Sequence, residues 1–316
     1  MAQAGPETSE KQDGFGSVLI ENDLFTPGSA DRHYTNGVAA SWLTAPDRAP
    51  SWARSLAELS PMLPSEARVR AEWGLGQSMF TPEDITRAEP LPDERPYAGW
   101  LYLSLGLVGE TETRLDQLSV SVGVVGPASL AEQTQKAVHR LTGAQDPKGW
   151  DTQLANEPAL QLTYQRSWRA AAANSGFGLG ADLTPHAGFG LGTVYTYANA
   201  GVTLRVGQNL PRDYGPPRVR PSLPGSGYFE SRSGLGWYAF AGLDGRLVGR
   251  NVFFDGNTWQ DSRSVKKENA VGDAQLGFAV QIDNVRLAYT HVWRSDEFEA
   301  QTESDVFGAF SLSIRY

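Results

Sequence analysis

The stretch of this chain richest in reactive side chains is IENDLFTPGSADRHYTNG, residues 20–37. It carries Glu21, Asn22, Asp23, Asp31, Arg32, His33, Tyr34, Thr35 and Asn36 where a hairpin loop needs only a few turn-forming residues. Asp23 and Asn22, with backbone carbonyls, are the hard oxygen donors that Ca2+ prefers. A divalent cation held there would polarise an ester carbonyl and bear the charge of the developing oxyanion. His139 supplies a matching general base, because an imidazole can take a proton from water. Gln135 stands one helical turn before it, so both side chains leave the same stripe of a helix. Water, base and cation together make a hydrolase without a side-chain nucleophile. No Gly-x-Ser-x-Gly occurs and the chain has no cysteine, so neither a serine elbow nor a thiolate competes with this reading. Each group also has a plainer use. A single helical histidine most often serves packing, an Asn-Asp pair at a loop entrance is usually a turn or cap, and Arg87 and Arg95 balance Asp84, Asp93 and Glu94. His33, His186 and His291 show no spacing of metal ligands.

The elements that must position these groups have a period of two. In SDVFGAFSLSIRY, Val306, Gly308, Phe310, Leu312, Ile314 and Tyr316 share one face, and smaller or polar residues share the other. LDQLSVSVGVV and WLYLSLGLV alternate in the same way, with Gly, Ser and Gln on the second face. Large apolar residues on one side and small polar ones on the other suit a barrel that faces lipid outward and a polar lumen inward. Twelve strands are expected, near 15–24, 34–44, 68–80, 98–109, 115–125, 158–170, 177–190, 198–207, 236–253, 268–282, 285–295 and 304–316. The fold expected is thus all-β, a twelve-stranded antiparallel transmembrane barrel over residues 15–316 with short helices in its loops, preceded by a disordered segment 1–14. Asp283-Asn284 reads as a two-residue hairpin turn and 208–235 as a long Pro/Gly-rich connection.

Two loop segments read as helices. SWARSLAELS (51–60) is amphipathic and stopped by Pro61. PASLAEQTQKAVHRLTG has Ser129 as N-cap with Glu132 three residues on and Gly143 as the stop; Leu130, Thr134, Ala137, Val138 and Leu141 are its expected packing face. If the first strand starts in the periplasm, connections 1→2, 3→4 and 5→6 all fall at the outer rim. Those connections carry Asn22, Asp23 and Thr35, then Arg87, then His139.

The net charge of −9 and pI of about 5.0 exclude a nucleic-acid partner on sign. No run approaches the ~20 apolar residues of a spanning helix. The opening MAQAGPETSEKQDG has no apolar run of the secretion-signal kind, which reads as either a cytoplasmic protein or a mature form with an added Met1.

The ordered set ENDLF…DRHYTNG, GQSMFTPEDITRAEPLPDERPYAGWLY and GVVGPASLAEQTQKAVHRLTGAQDPKGWDTQLANEP resembles the outer-membrane lipid A deacylase family, which removes the 3′-linked acyloxyacyl chain. The likeness runs from about residue 15 to 168. It implies a Ca2+-dependent esterase of the bacterial outer membrane acting on lipopolysaccharide, with its site at the extracellular rim. By motif position it makes His139 the base, Asp23 and Asn22 the cation ligands, Thr35 a site threonine and Gln135 a site glutamine. Arg87 stands where a lysine is expected, and Gln145 where a glutamate is expected, so one site carboxylate is replaced by an amide. The rivals to this reading are a non-enzymatic barrel, either a pore or a lipopolysaccharide-binding protein, and a phospholipase with the same machinery.

Overall fold

The computed structural model describes residues 14–26, 33–174, 178–211, 213–215 and 234–316; the expected disordered segment lies, up to Asp13, outside the described residues. Thirteen strands form one antiparallel sheet: β1 (Phe15–Asn22), β2 (His33–Leu43), β3 (Arg68–Thr81), β4 (Ala98–Glu110), β5 (Arg114–Val125), β6 (Glu157–Trp168), β7 (Ala171–Asn174), β8 (Leu179–Gly192), β9 (Tyr195–Gln208), β10 (Leu235–Asn251), β11 (Ala270–Ile282), β12 (Val285–Arg294) and β13 (Asp305–Arg315). Pairing of β1 with β13 and of β6 with β8 closes the sheet, which leaves no open edge to be satisfied in lipid. β6 and the four-residue β7 pair in succession with β8, so they are one stave interrupted at Arg169 and Ala170. The barrel therefore has the twelve staves expected from the sequence. The chain's first described residue is tied in as well, since Gly14 and Tyr316 exchange backbone hydrogen bonds of 3.1 and 3.0 Å.

The alternation sets the faces. Val18, Ile20, Val38, Trp42, Trp73, Leu75, Leu103, Leu105, Val120, Val122, Phe310, Leu312 and Ile314 are exposed on the outer wall, while their neighbours in sequence are buried in the lumen. Among the described residues no helix is long and apolar enough to cross a membrane; the crossing elements are strands. Asp283 takes φ +47° in the expected two-residue turn between β11 and β12.

The lumen is filled. Toward the end that holds neither terminus, here the distal end, Phe80, Trp100, Tyr102, Tyr195, Tyr197 and Phe253 form one aromatic cluster, into which the short helix α3 (Val252–Asp255) inserts. In the terminal half, Arg205 is held by Asp182 and Asp213, and Asp213 also pairs with Arg286 at 2.9 Å. Tyr214, from the described part of the long β9–β10 connection, packs there with Phe15, Leu43, Val108 and Leu115. Arg95 does not balance surface carboxylates: it is buried, with its guanidinium 4.8 and 4.6 Å from the rings of Phe80 and Phe254.

Two helices lie on the barrel. The first, α1 (Ser51–Leu59), belongs to the β2–β3 connection at the terminal end, and α2 (Ala131–Thr142) to the β5–β6 connection at the distal end. Ser129 is not the N-cap of α2: it belongs to a 3-10 turn, and Leu130 (φ +61°) holds the cap position without any side-chain capping bond. Glu132 instead pairs with Lys136 one turn later at 2.7 Å.

Candidate active site

Counting staves from the amino terminus puts the end of β1 with residues 23–26, the loop 82–97 and the loop 126–156 together at the distal end, as the sequence required. The first holds Asn22 and Asp23. Both side-chain Oδ1 atoms accept from the same Leu24 N–H at 2.8 Å, so the two oxygens converge on one point at the mouth of β1. Asp23 is buried at the first position of a 3-10 turn that Asn22 caps, and its carbonyl accepts from the Thr26 hydroxyl. Thr35 falls in an irregularity of β2: His33 pairs with Thr81 and Asn36 with Met79, which puts one extra residue on β2. Bulges of this kind re-aim side chains beside functional sites; the Thr35 side chain itself lies outside the described residues.

The packing face of α2 is the reverse of the expected one. Ala131, Gln135 and His139, spaced by four, are the buried stripe. Leu130, Val138 and Leu141 are exposed, Leu141 to 88%. The buried stripe faces the outer wall of β3 and β4, where Met79, Ile85, Tyr97, Ala131 and Trp150 form one cluster. Gly99 permits the approach, because a Cβ there would lie 2.1 Å from Ser129 Oγ and 2.3 Å from Ala131 Cβ. Gln77, also on the outer wall, donates at 2.6 Å to the Ser129 carbonyl and fixes the start of the helix.

His139 and Gln135 have different contacts. The Nδ1 of His139 bonds the backbone carbonyl of Gln145; a carbonyl only accepts, so Nδ1 carries the proton and Nε2 is the nitrogen that can accept one. The Oε1 of Gln135 accepts from Trp150 Nε1 at 2.7 Å. Trp150 rests on Tyr97 with ring centroids 5.0 Å apart, and the Tyr97 hydroxyl donates to the Ile85 carbonyl at 3.2 Å. Gln135 thus ties the 143–150 return segment to the helix and keeps the Gln145 carbonyl beneath the imidazole. Gln145 acts through its main chain, while its side chain is exposed.

Arg87 is not drawn into this cluster. Exposed on the 82–97 loop, it donates to the Glu89 carbonyl at 3.4 Å and lies near Asp84, whose carboxyl is held below its usual range first by the Thr86 hydroxyl. Sequence reasoning missed Trp150, the Gln145 carbonyl, Gln77 and Gly99. None follows the strand period or a capping pattern, and the clamp they form exists only once the loop closes over the wall.

The register ties the halves of the site together: Asn22 pairs with Asn36 and Asn36 with Met79, so the mouth of β1 and the floor under α2 lie in one row across three strands. Two interstrand spacings make that row ~10 Å wide. Among the described residues no three His, Asp or Glu side chains converge as a metal-binding group. Asp23 and Asn22 fit Ca2+ in donor chemistry, and supply two of the six or more oxygens it takes.

A closed twelve-stave antiparallel barrel with an apolar outer band and charged lumen is an outer-membrane barrel. The chain belongs to the family described as outer membrane protein LpxR, whose profile matches residues 1–316. Among solved structures it is similar to LpxR from Salmonella typhimurium, with 18% identity, a TM-score of 0.78, and 95% of this chain and 99% of that one covered. The β domain of the Bordetella autotransporter BrkA matches at 9% identity and a TM-score of 0.46, over 97% of this chain and 99% of that one. No curated protein sequence matches the chain.

Proposed function

We propose that this outer-membrane protein is an esterase that removes an ester-linked 3′-acyloxyacyl chain from lipid A, with His139 as the base that activates water. The observation that carries this reading is the orientation of α2. Its polar stripe, with an imidazole whose tautomer is set by the Gln145 carbonyl, faces the outer wall, while Leu130, Val138 and Leu141 face the surroundings. A site placed between a helix and the lipid-facing wall is open to a substrate that lies in the membrane, not to one that diffuses through the lumen. The aromatic cluster and the arginine network that fill the lumen count against the pore reading.

In this reaction the Nε2 of His139 takes a proton from water as the water oxygen attacks the ester carbonyl. The imidazolium is stabilised by its Nδ1–H bond to Gln145 O. Collapse of the tetrahedral intermediate breaks the bond to the sugar oxygen, which receives the proton back from Nε2. The products are a carboxylic acid and a free sugar hydroxyl. Asp23 and Asn22 would hold Ca2+, which when bound supplies positive charge for the carbonyl oxygen. Thr35, on the β2 bulge beside that pair, is a site residue of this reading. Arg87, exposed on the distal rim, would meet a lipid phosphate in this reading. The distal rim is the extracellular one in this reading, since lipid A occupies the outer leaflet.

The test is purified protein incubated with lipid A, with and without chelator, beside His139→Ala, the released acids being read by mass spectrometry. Hydroxylated acyl products lost on chelation and in the variant are expected. Ordinary fatty acids released from glycerophospholipid would instead favour a phospholipase, and unchanged release by His139→Ala would remove the histidine from the mechanism.

A further inference from the structure

The second helix on the outer wall, α1, is not used by the chemistry above. Its residues divide into three sectors at the helical period. Ala53 and Ala57 are buried against the outward-facing Ala71 and Leu107 and against Leu63, with Val69 and Leu118 beside them. Ser51, Arg54, Ser55 and Glu58 make an exposed polar sector. Between the two, Trp52, Leu56 and Leu59 form an exposed apolar stripe, spaced i, i+4 and i+7, with Leu59 exposed to 80%. A soluble helix would turn that stripe inward and show the alanines to water.

The stripe continues a surface already given to lipid. The ring of Trp52 stands edge-on to that of Trp73, centroids 6.4 Å apart. Trp73 pairs with Trp42 across β2 and β3, and both are exposed on the outer wall. Tryptophans at one level of an outer wall mark the membrane interface. The segment after the helix is held to the same wall by polar groups. Asp116 points outward and is buried; it accepts from Arg114 Nε at 2.5 Å, Arg166 Nε at 2.7 Å and Tyr164 Oη at 2.6 Å. Arg166 also donates at 3.1 Å to the Met62 carbonyl. The carboxylate is thereby neutralised where it would otherwise meet the lipid boundary, and the turn behind α1 is fastened to it.

We infer that α1 is an interfacial helix that seats Trp52, Leu56 and Leu59 among phospholipids, at the boundary of headgroup and acyl chain on the terminal side of the membrane. With the orientation proposed above this is the phospholipid leaflet facing the periplasm. The inference needs only the barrel in a bilayer and not the ester chemistry, so the two fail separately. The alanine sector sets the helix close to the wall, and the polar sector faces water.

The chain contains no cysteine, so single reporters can be introduced one at a time. Leu59→Cys and Glu58→Cys would each carry a nitroxide label in the full-length barrel in phosphatidylcholine vesicles, with Leu103→Cys as the lipid-facing reference. Heat-modifiable migration on gels would verify that each variant is folded. Power saturation with oxygen and with a water-soluble nickel chelate is the readout. The inference expects the oxygen-to-nickel accessibility ratio at position 59 to be several-fold that at 58 and to approach that at 103. Equal ratios at 58 and 59, both water-like, would overturn it. Trp52→Cys serves as a second reporter of the stripe: a lipid-like ratio there supports the inference, and water-like labels at both 52 and 59 would defeat it.

Discussion

If the base is positioned by a main-chain carbonyl, the identity of residue 145 should matter little. The Gln145 side chain is exposed, and His139 Nδ1 bonds its backbone oxygen. Gln145→Ala keeps that oxygen, and an exposed substitution of this kind shifts energies by about 0.5 kcal/mol or less. A change of that size alters a rate by about twofold. His139→Ala removes the proton acceptor and should cost about 10²–10⁴ in kcat. The assay is initial-rate release of acyl product from lipid A, with folded protein quantified by heat-modifiable migration. A tenfold or larger loss in Gln145→Ala would refute the carbonyl argument. A tenfold gain in Gln145→Glu would do the same, since it would show that a carboxylate at this position had been missing from the site.

Gly99→Ala puts a Cβ 2.1 Å from Ser129 Oγ, an overpacking cost of about 1–3 kcal/mol; activity should fall while the barrel stays folded. Trp150→Phe keeps a ring against Tyr97 but deletes the 2.7 Å bond to Gln135. Loss of that bond is worth about 1–3 kcal/mol, and kcat should fall with little change in KM. Chelation should abolish release and added Ca2+ restore it, with Asp23→Asn needing more Ca2+ than the parent; undiminished activity in chelator would remove the cation from the reading. Asp213→Ala leaves Arg205 and Arg286 facing each other in the lumen far from the site. Breaking such a buried pair costs about 3–5 kcal/mol, so the temperature of heat-modifiability should drop while activity of the folded fraction persists.

The staves are legible in sequence because the outer face of a barrel alternates over strands of eight to seventeen residues, from β1 to β10, and lipid tolerates few exceptions to it. The strand expected over 158–170 runs through Arg169 and Ala170, where the stave is interrupted, and stops short of Ala171–Asn174, because four small or polar residues beyond a break carry no alternation of their own. Placing Asn22, Asp23, Arg87 and His139 at one end needs only the parity of the staves. What parity cannot give is which groups at that end touch. Arg87 and Arg95 look equivalent as loop cations, yet one is exposed and the other is buried between two rings.

The helices show why the remainder is hidden. For α2 the rule that apolar faces turn away from solvent assigns Leu130, Val138 and Leu141 to packing, and that rule holds only where the solvent is water. Beside a barrel wall in a bilayer the solvent is hydrocarbon, so burial selects the polar stripe of Gln135 and His139. The same inversion arises independently in α1, where the alanines are inside and Trp52, Leu56 and Leu59 outside. What the two helices share is that their large apolar side chains face away from the wall; they differ in that α1 buries alanines and keeps its polar sector exposed, whereas α2 buries Gln135 and His139. For α2 the consequence bears on the proposed chemistry: His139 ends a buried stripe set against the wall, so in that reading its substrate arrives from beside the barrel and not through the lumen.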